Sequence, residues 1–358
     1  MILNKPEITR ILKSLLDEED LIEIKNKIKD VEYSISSFRA DNLGLLNIDS
    51  NGETINLKKE YLENELGQIL DTKTIERSKY YIKRLLKGIS EIKTSKINDI
   101  NLNRWKEYDD IITDSLWILG RRDNSGAHSA EYWGNFVPQI PNQLLRRYTK
   151  KGEWVLDPFM GSGTTLIEAR RLGRNSIGIE IQEKVAKIAR EKLEQDKTIF
   201  SENSRTEIFI GDSASLNLKE KLERIGVPSV QFVIFHPPYW DIIKFSDYEK
   251  DLSNAASLNE FLSLFGKVVD NSLSVLDTKR FFAIVIGDKY SKGEWIPLGF
   301  YVMQEILKKG HKLKSIIVKN FEETKAKRNQ KELWRYRALV GGFYVFKHEY
   351  IFLFKKER

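Results

Sequence analysis

Glu153-Trp-Val-Leu-Asp-Pro-Phe-Met-Gly-Ser-Gly-Thr-Thr165 reads as a short apolar run, a glycine turn and the opening of a helix. Gly161 and Gly163 let the backbone turn tightly and come close to a ligand. Thr164 and Thr165 are residue types that cap a helix start. Downstream, Ser176–Ile181 (SIGIEI), Glu207–Gly211 (EIFIG), Val230–Phe235 (VQFVIF) and Arg280–Ile286 (RFFAIVI) are further apolar runs of strand length. Amphipathic stretches such as Glu183–Leu193 and Leu258–Leu276 separate them. Strand and helix in alternation predict an α/β fold built on a doubly wound, parallel sheet. Leu313–Val318 and Tyr350–Phe354 add two strands joined by a long basic loop. Ligands of such sheets bind at the carboxyl ends of the strands, which is where the motifs below fall.

Residues before about 115 read differently. Apolar residues recur at helical spacing in Ile8–Leu16, in Leu21–Ile28 and from Thr74 to Ile92. Asn47–Glu53 is rich in turn formers and suits a short hairpin. The chain has 358 residues, too many for one typical domain. A mainly helical domain over 1–115 and an α/β domain over 116–358 are expected.

Composition narrows the class. There is no cysteine, which excludes disulfides, a thiol nucleophile and cysteine-ligated metal, and fits a cytoplasmic protein. Four histidines without clustered spacing speak against a metal enzyme. The start, MILNKPEITR, is not a secretion signal, and no apolar run approaches the roughly 18 residues of a membrane span. A formal charge of +7 suits a polyanionic partner.

The nonapeptide Asp157–Thr165 lacks the lysine of a phosphate loop and the third glycine of the dinucleotide pattern. It resembles the S-adenosylmethionine-binding motif of the DNA amino-methyltransferases, which act on N4 of cytosine or N6 of adenine. The resemblance implies a Rossmann-like methyltransferase sheet. It implies S-adenosylmethionine as cofactor, held by Asp157, Pro158, Phe159, Gly161, Ser162, Gly163, Thr164 and Thr165. Glu180, at the end of the second strand, is placed to accept hydrogen bonds from both ribose hydroxyls. Asp212, after the third, is placed to accept from the adenine amino group. Tyr132–Tyr148 looks like the family segment that covers the methionine end, stiffened by Pro138 and Pro141, with a helix over Asn142–Tyr148.

His236-Pro-Pro-Tyr-Trp240 follows the fourth strand. Pro237 and Pro238 fix the backbone and remove two amide donors. Tyr239 can stack on a base flipped out of the duplex. An exocyclic amine is a poor nucleophile because its lone pair is conjugated into the ring. Holding its hydrogens on the turn's carbonyls and on the side chain at 236 frees that pair for in-line attack on a sulfonium methyl. The family usually carries Asp, Asn or Ser at the first position of this motif; here it is His236. A neutral imidazole has one acceptor nitrogen and can replace them, whereas a protonated one cannot.

The glycine loop precedes the Pro-Pro-Tyr motif. The simplest reading is a circular permutation that puts target recognition in residues 1–115, where an interaction domain mediating dimers is the alternative, with the resemblance itself covering 122–358. Arg77, Lys79, Lys83, Arg84 and Lys87, interleaved with Tyr80 and Tyr81, suit either phosphate contact or an ordinary solvated helix face. The basic loop over residues 325–337 mixes cations with aromatics, and Lys325, Lys327, Arg328, Trp334, Arg335 and Arg337 are the expected DNA contacts. The partner implied is double-stranded DNA, with a monomer or homodimer working beside a restriction nuclease in a restriction–modification setting. Adenine and cytosine both remain open as target. An RNA base methyltransferase and a catalytically silent DNA-binding homologue stay as alternatives.

Overall fold

Asn4 closes strand β1 (Ile2–Asn4) and caps helix α1 (Lys5–Asp17), its side chain accepting the Glu7 amide at 3.1 Å. The computed structural model describes residues 1–36, 41–48, 52–128, 134–196, 203–321 and 331–357, without the Lys331 side chain. It divides into two units, Met1–Lys96 with Ile100–Asp110, and Ile97–Asp99 with Ile111–Arg358.

In the first unit α1 is followed by α2 (Leu21–Ser36), β2 (Thr54–Asn56), α3 (Lys59–Leu70) and α4 (Ile75–Ser90). The apolar stripes of all four helices meet in one core, with Leu12, Ile28, Leu62, Leu66 and Ile82 fully buried. The centre of Asn47–Glu53, residues 49–51, lies outside the described residues. Strand β2, just beyond it, pairs antiparallel with β1. Helix α3 was not foreseen, although Leu62, Leu66 and Ile69 share one face. Its Glu65 is 2% exposed and is neutralised by Arg84 at 2.6 Å and Lys106 at 2.8 Å. Arg84 is therefore committed to an internal pair rather than free for a phosphate.

The second unit runs β3 (Leu116–Trp117), α5 (Gln139–Tyr148), β4 (Trp154–Asp157), α6 (Thr164–Arg171), β5 (Asn175–Glu180), α7 (Glu183–Gln195) and β6 (Thr206–Ile210). It continues with α8 (Leu218–Arg224), β7 (Val230–Phe235), α9 (Leu258–Ser274) and β8 (Leu276–Ile286). A hairpin of β9 (Lys289–Ser291) and β10 (Glu294–Ile296) follows, then α10 (Leu298–Lys308), β11 (Lys312–Asn320), α11 (Lys331–Gly341) and β12 (His348–Lys355). One eight-stranded sheet takes the order β3-β11-β12-β8-β7-β4-β5-β6. Every pairing is parallel except the two made by β12.

The strands read as unbroken apolar runs because both faces are covered. Val233, Phe235, Phe282, Ile284, Phe352 and Phe354 enter the core shared with α8, α9 and α10. Their neighbours Phe232, Ile234, Ala283, Val285, Ile351 and Leu353 point the other way, into the core shared with α5. The period of two thus sorts consecutive residues into two separate cores, which is the doubly wound arrangement. Two local expectations change. Gly163, not Thr164 or Thr165, caps α6, with a left-handed φ of +88° and no side-chain cap bond. Only glycine enters that conformation freely, so the two threonines fall inside the first turn. Trp334, Arg335 and Arg337 lie on helix α11, where a loop was expected.

Candidate functional site

The carboxyl ends of β4, β5, β6 and β7 open into one cleft with about 780 Å³ of empty space, its mouth included. Pro158, Phe159 and Gly161 line it from the first loop, Glu180 from the second, Asp212 from the third, and His236, Pro237 and Pro238 from the fourth. Eight positions singled out in the sequence, from Pro158 to Pro238, therefore share one cavity.

The glycine loop owes its shape to a few contacts. Asp157 ends β4, is 1% exposed, and its Oδ1 accepts the Phe159 amide at 2.9 Å. Its other oxygen is buried as well. Burial pushes the carboxyl up to about 6. Gly161 takes a φ of +51°. A β-carbon on Gly163 would sit 3.2 Å from the Ala189 methyl of α7. Ser162 is held from outside, its hydroxyl accepting from Asn135 at 2.7 Å. Gly134, with φ +90°, lets the segment before α5 pass close to the Phe245 ring. Both Gly134 and Phe245 line the cleft, so the segment lies over the loop.

Glu180 is 8% exposed and accepts the Gln182 amide at 2.9 Å. Burial, helped by the nearby Asp251, raises it to about 7, while the Gly161 amide works against the shift. Asp212 turns inward on its own loop, accepting the Ala214 amide at 2.9 Å and the Ser215 hydroxyl at 2.7 Å. Lys250 stands 3.9 Å from Oδ2, the oxygen that also accepts the Ser215 hydroxyl. Asp251 was missed in the sequence; it is 5% exposed and lines the cleft. It is locked by Ser246 and Ser253, whose hydroxyls donate at 2.6 and 2.8 Å.

His236 is edge-on to Phe136 at 4.6 Å and to Tyr239 at 5.6 Å. Its Nε2 lies 3.3 Å from the Tyr239 hydroxyl. Burial, then the charge of Lys319, lowers its pKa to about 3, so the ring is neutral near pH 7. Tyr239 is half-buried and does not line the cleft. One flank of its ring rests on Gly287, where an added β-carbon would come within 2.9 Å. Its hydroxyl donates to Glu349 at 2.8 Å.

Six of the expected cofactor residues stand behind the cleft rather than on it: Pro138, Asp157, Ser162, Gly163, Thr164 and Thr165. All six are buried. Pro138 caps α5, so this helix starts three residues before the expected Asn142. On α11, Arg335 and Arg337 are exposed and the Arg337 guanidinium lies 5.4 Å from the Trp334 ring centre. Lys325, Lys327 and Arg328 lie outside the described residues. Among the described residues no helix is long and apolar enough to cross a membrane, and no group of three His, Asp or Glu could hold a metal.

The N6/N4 methyltransferase family model, described as DNA methylase, matches residues 12–191 and 230–358. The match reaches well into the N-terminal unit, beyond the 122–358 suggested by the motifs. M2.DpnII of Streptococcus pneumoniae, a type II methyltransferase, is 41% identical over 100 residues, 26% of this chain and 34% of that one. M.MjaII of Methanocaldococcus jannaschii, also a type II methyltransferase, is 45% identical over 64 residues, 18% of this chain and 12% of that one. The chain thus spans about a third or less of the length of these relatives. The solved structure of TrmN from Thermus thermophilus superposes with a TM-score of 0.38 at 19% identity, over 62% of this chain and 49% of that one.

Proposed function

The chain belongs to the N6/N4 DNA methylase family, and on that premise we propose that it moves a methyl group from S-adenosylmethionine to the exocyclic amine of adenine (N6) or cytosine (N4) in double-stranded DNA. One observation carries this reading. The glycine loop, Glu180, Asp212 and the His236-Pro237-Pro238 turn line the same cleft.

The residues suit the cofactor. Glu180, Asp212 and Asp251 bring three carboxylates against one lysine, Lys250, which favours a ligand carrying a sulfonium and an ammonium. Phe159, Leu252 and Val268 give apolar walls for a purine ring. Glu180 would take the ribose hydroxyls. Asp212 would take the adenine amine once Lys250 or its own loop yields. Gly161 and Pro158 would let the backbone approach. Asp157, Ser162, Gly163, Thr164 and Thr165 would hold the loop's shape from behind, and Pro138 the covering segment. Bound there, S-adenosylmethionine supplies an electrophilic methyl on a positive sulfur.

The chain's own part is positioning. His236, neutral near pH 7, accepts one hydrogen of the target amine, and the rigid Pro237-Pro238 turn offers a carbonyl for the other. The flank of the Tyr239 ring away from Gly287 stacks on the flipped base. Trp334, Arg335 and Arg337 contact the duplex, with Lys325, Lys327 and Arg328 beside them in sequence. The N-terminal unit serves target recognition or assembly, in keeping with a permuted motif order. A monomer or homodimer beside a companion restriction nuclease completes the proposed setting, in the cytoplasm.

Methyl transfer from labelled S-adenosylmethionine to unmethylated genomic DNA, followed by nucleoside mass spectrometry, tests the reading. N6-methyladenine or N4-methylcytosine is expected. Cofactor binding without transfer to DNA would favour the silent DNA-binding homologue, with His236 as the lesion.

A further inference from the structure

Glu349 and Lys319 face each other across β12 and β11 as a registered pair, 3.2 Å apart through Oε1. They are 4% and 5% exposed. A buried ion pair is a poor source of stability, because desolvation offsets its attraction. Its position asks for another explanation. The second carboxylate oxygen, Oε2, accepts from the Tyr239 hydroxyl at 2.8 Å, and that hydroxyl lies 3.3 Å from His236 Nε2.

The direction of each hydrogen bond follows from the donor inventory. A carboxylate paired with an ammonium only accepts, and the Lys319 ammonium sits on Glu349 Oε1. The Tyr239 proton therefore points at Glu349. The Tyr239 oxygen has only lone pairs left for His236, so Nε2 must carry the hydrogen. A neutral imidazole has one N–H, which leaves Nδ1 as its acceptor. We propose that Glu349, backed by Lys319, is a positioning residue that acts through the Tyr239 hydroxyl to hold His236 in the Nε2–H tautomer, with Nδ1 free to accept a hydrogen of the target amine. The proposal rests on the methyl-transfer reading for its purpose, but not for its test. Burial and Glu349 raise the Tyr239 hydroxyl well above its ordinary value, which keeps it a donor. The low pKa of His236, about 3, keeps the ring neutral.

Two variants probe the relay in the full chain. Tyr239→Phe removes the hydroxyl and keeps the ring. Glu349→Gln is subtler. Lys319 holds the amide oxygen, so the amide nitrogen faces Tyr239 and donates to it. The tyrosine must then donate to His236 Nε2, which moves the ring hydrogen to Nδ1. The readout is the pair of ring-nitrogen shifts of His236 in chain labelled with ¹⁵N-histidine, assigned by comparison with His236→Asn. The wild type is expected to show Nε2–H. Glu349→Gln is expected to show Nδ1–H as the main form, and Tyr239→Phe a mixture. In both variants kcat for methyl transfer should fall about ten- to a hundredfold, the scale on which loss of a histidine's orienting partner is felt, with the Kd for S-adenosylmethionine within about twofold. Nδ1–H in the wild type, or Nε2–H kept in both variants, overturns the relay. The expected tautomers in a chain that transfers no methyl to DNA would leave the relay standing and remove the activity instead.

Discussion

Gly163 and Ala189 touch across the glycine loop: a β-carbon on Gly163 would stand 3.2 Å from the Ala189 methyl, and the glycine already holds a φ of +88°. The two constraints are separable. Gly163→Ala is expected to lose about 1–2 kcal/mol, the cost of a left-handed non-glycine residue, with the steric contact added. Chemical denaturation measures the loss. Ala189→Gly costs about 1 kcal/mol by itself in the interior of α7, so the contact part is read from a double-mutant cycle with Ala189→Gly as the second single variant. A coupling of zero between the two sites would mean that α7 is not what limits the size of residue 163.

Asp157 sets a stability cost against a structural need. Its folded pKa, about 6, lies above the ordinary 3.8, so the folded state disfavours the charge. The sign follows: the penalty is absent below about pH 4, grows as pH rises towards 6, and is full above that. Asp157→Asn keeps an oxygen for the Phe159 amide and removes the charge. It should therefore gain on the order of 2–3 kcal/mol at pH 8 and nothing at pH 4, read by urea unfolding at both pH values. Asp157→Ala, which loses the Phe159 bond, should instead cost cofactor affinity.

Glu180 carries a proton up to about pH 7 in the free protein. Ribose hydroxyls donate to the ionised form, so binding expels that proton. Cofactor affinity should climb with pH up to about 7 and level off above it. Calorimetry in buffers of different ionisation heat counts the released proton. Glu180→Gln should flatten the climb and weaken binding at pH 8 about ten- to a hundredfold, the value of a charge-assisted hydrogen bond. A climb that persists in the variant would assign it to Asp157.

Gly287 tests the Tyr239 ring without touching it. A β-carbon there would fall 2.9 Å from the ring's Cε2. Gly287→Ala should shift Tyr239, slow methyl transfer, and leave S-adenosylmethionine binding within about twofold. Equal loss of both would mean that Gly287 supports the cleft as a whole.

Most of the N-terminal unit, Met1–Lys96, can be removed at a chosen point. The three residues 97–99 belong with the α/β unit, where the Asp99 carboxylate lies 3.0 Å from Arg174, itself 4% exposed. A chain starting at Ile97 keeps that partner; one starting after residue 115 strips it from a buried guanidinium. The longer chain is expected to bind cofactor like the full protein and to lose sequence-selective DNA binding in a gel-shift competition. Selectivity that survives would move target recognition to α11 and its flank.

Much of this was legible beforehand because the signals are local. Asp157–Thr165 and His236–Tyr239 each combine strand end and turn in a few residues, and both reach the cleft. What escaped depends on distance or on competition. Glu349 lies 110 residues from Tyr239 and looks like an ordinary polar residue starting a strand. Asp251 sits in a loop of mixed polarity whose fold is set by its own serine hydroxyls. Thr164 and Thr165 have the chemistry of caps, but Gly163 took the cap because the chain needed a left-handed residue there. Helix α11 hid inside a basic stretch, its Leu333, Leu339 and Val340 all exposed and so carrying no burial pattern.

Strand β12 comes later in the chain than every strand it touches, yet it lies between β8 and β11. A ribosome adds roughly 5–20 residues each second, so β11 and β3, the two strands beyond the β12 slot, wait seconds for it to fill. Until His348–Lys355 emerges, the β11–β3 pair cannot join the rest of the sheet, and His236 has no Glu349 behind it. A nascent chain can thus build the glycine loop early but cannot finish the chemical end of the site. Premature termination should leave no half-working enzyme, only a sheet with a sticky edge for proteases and chaperones to clear.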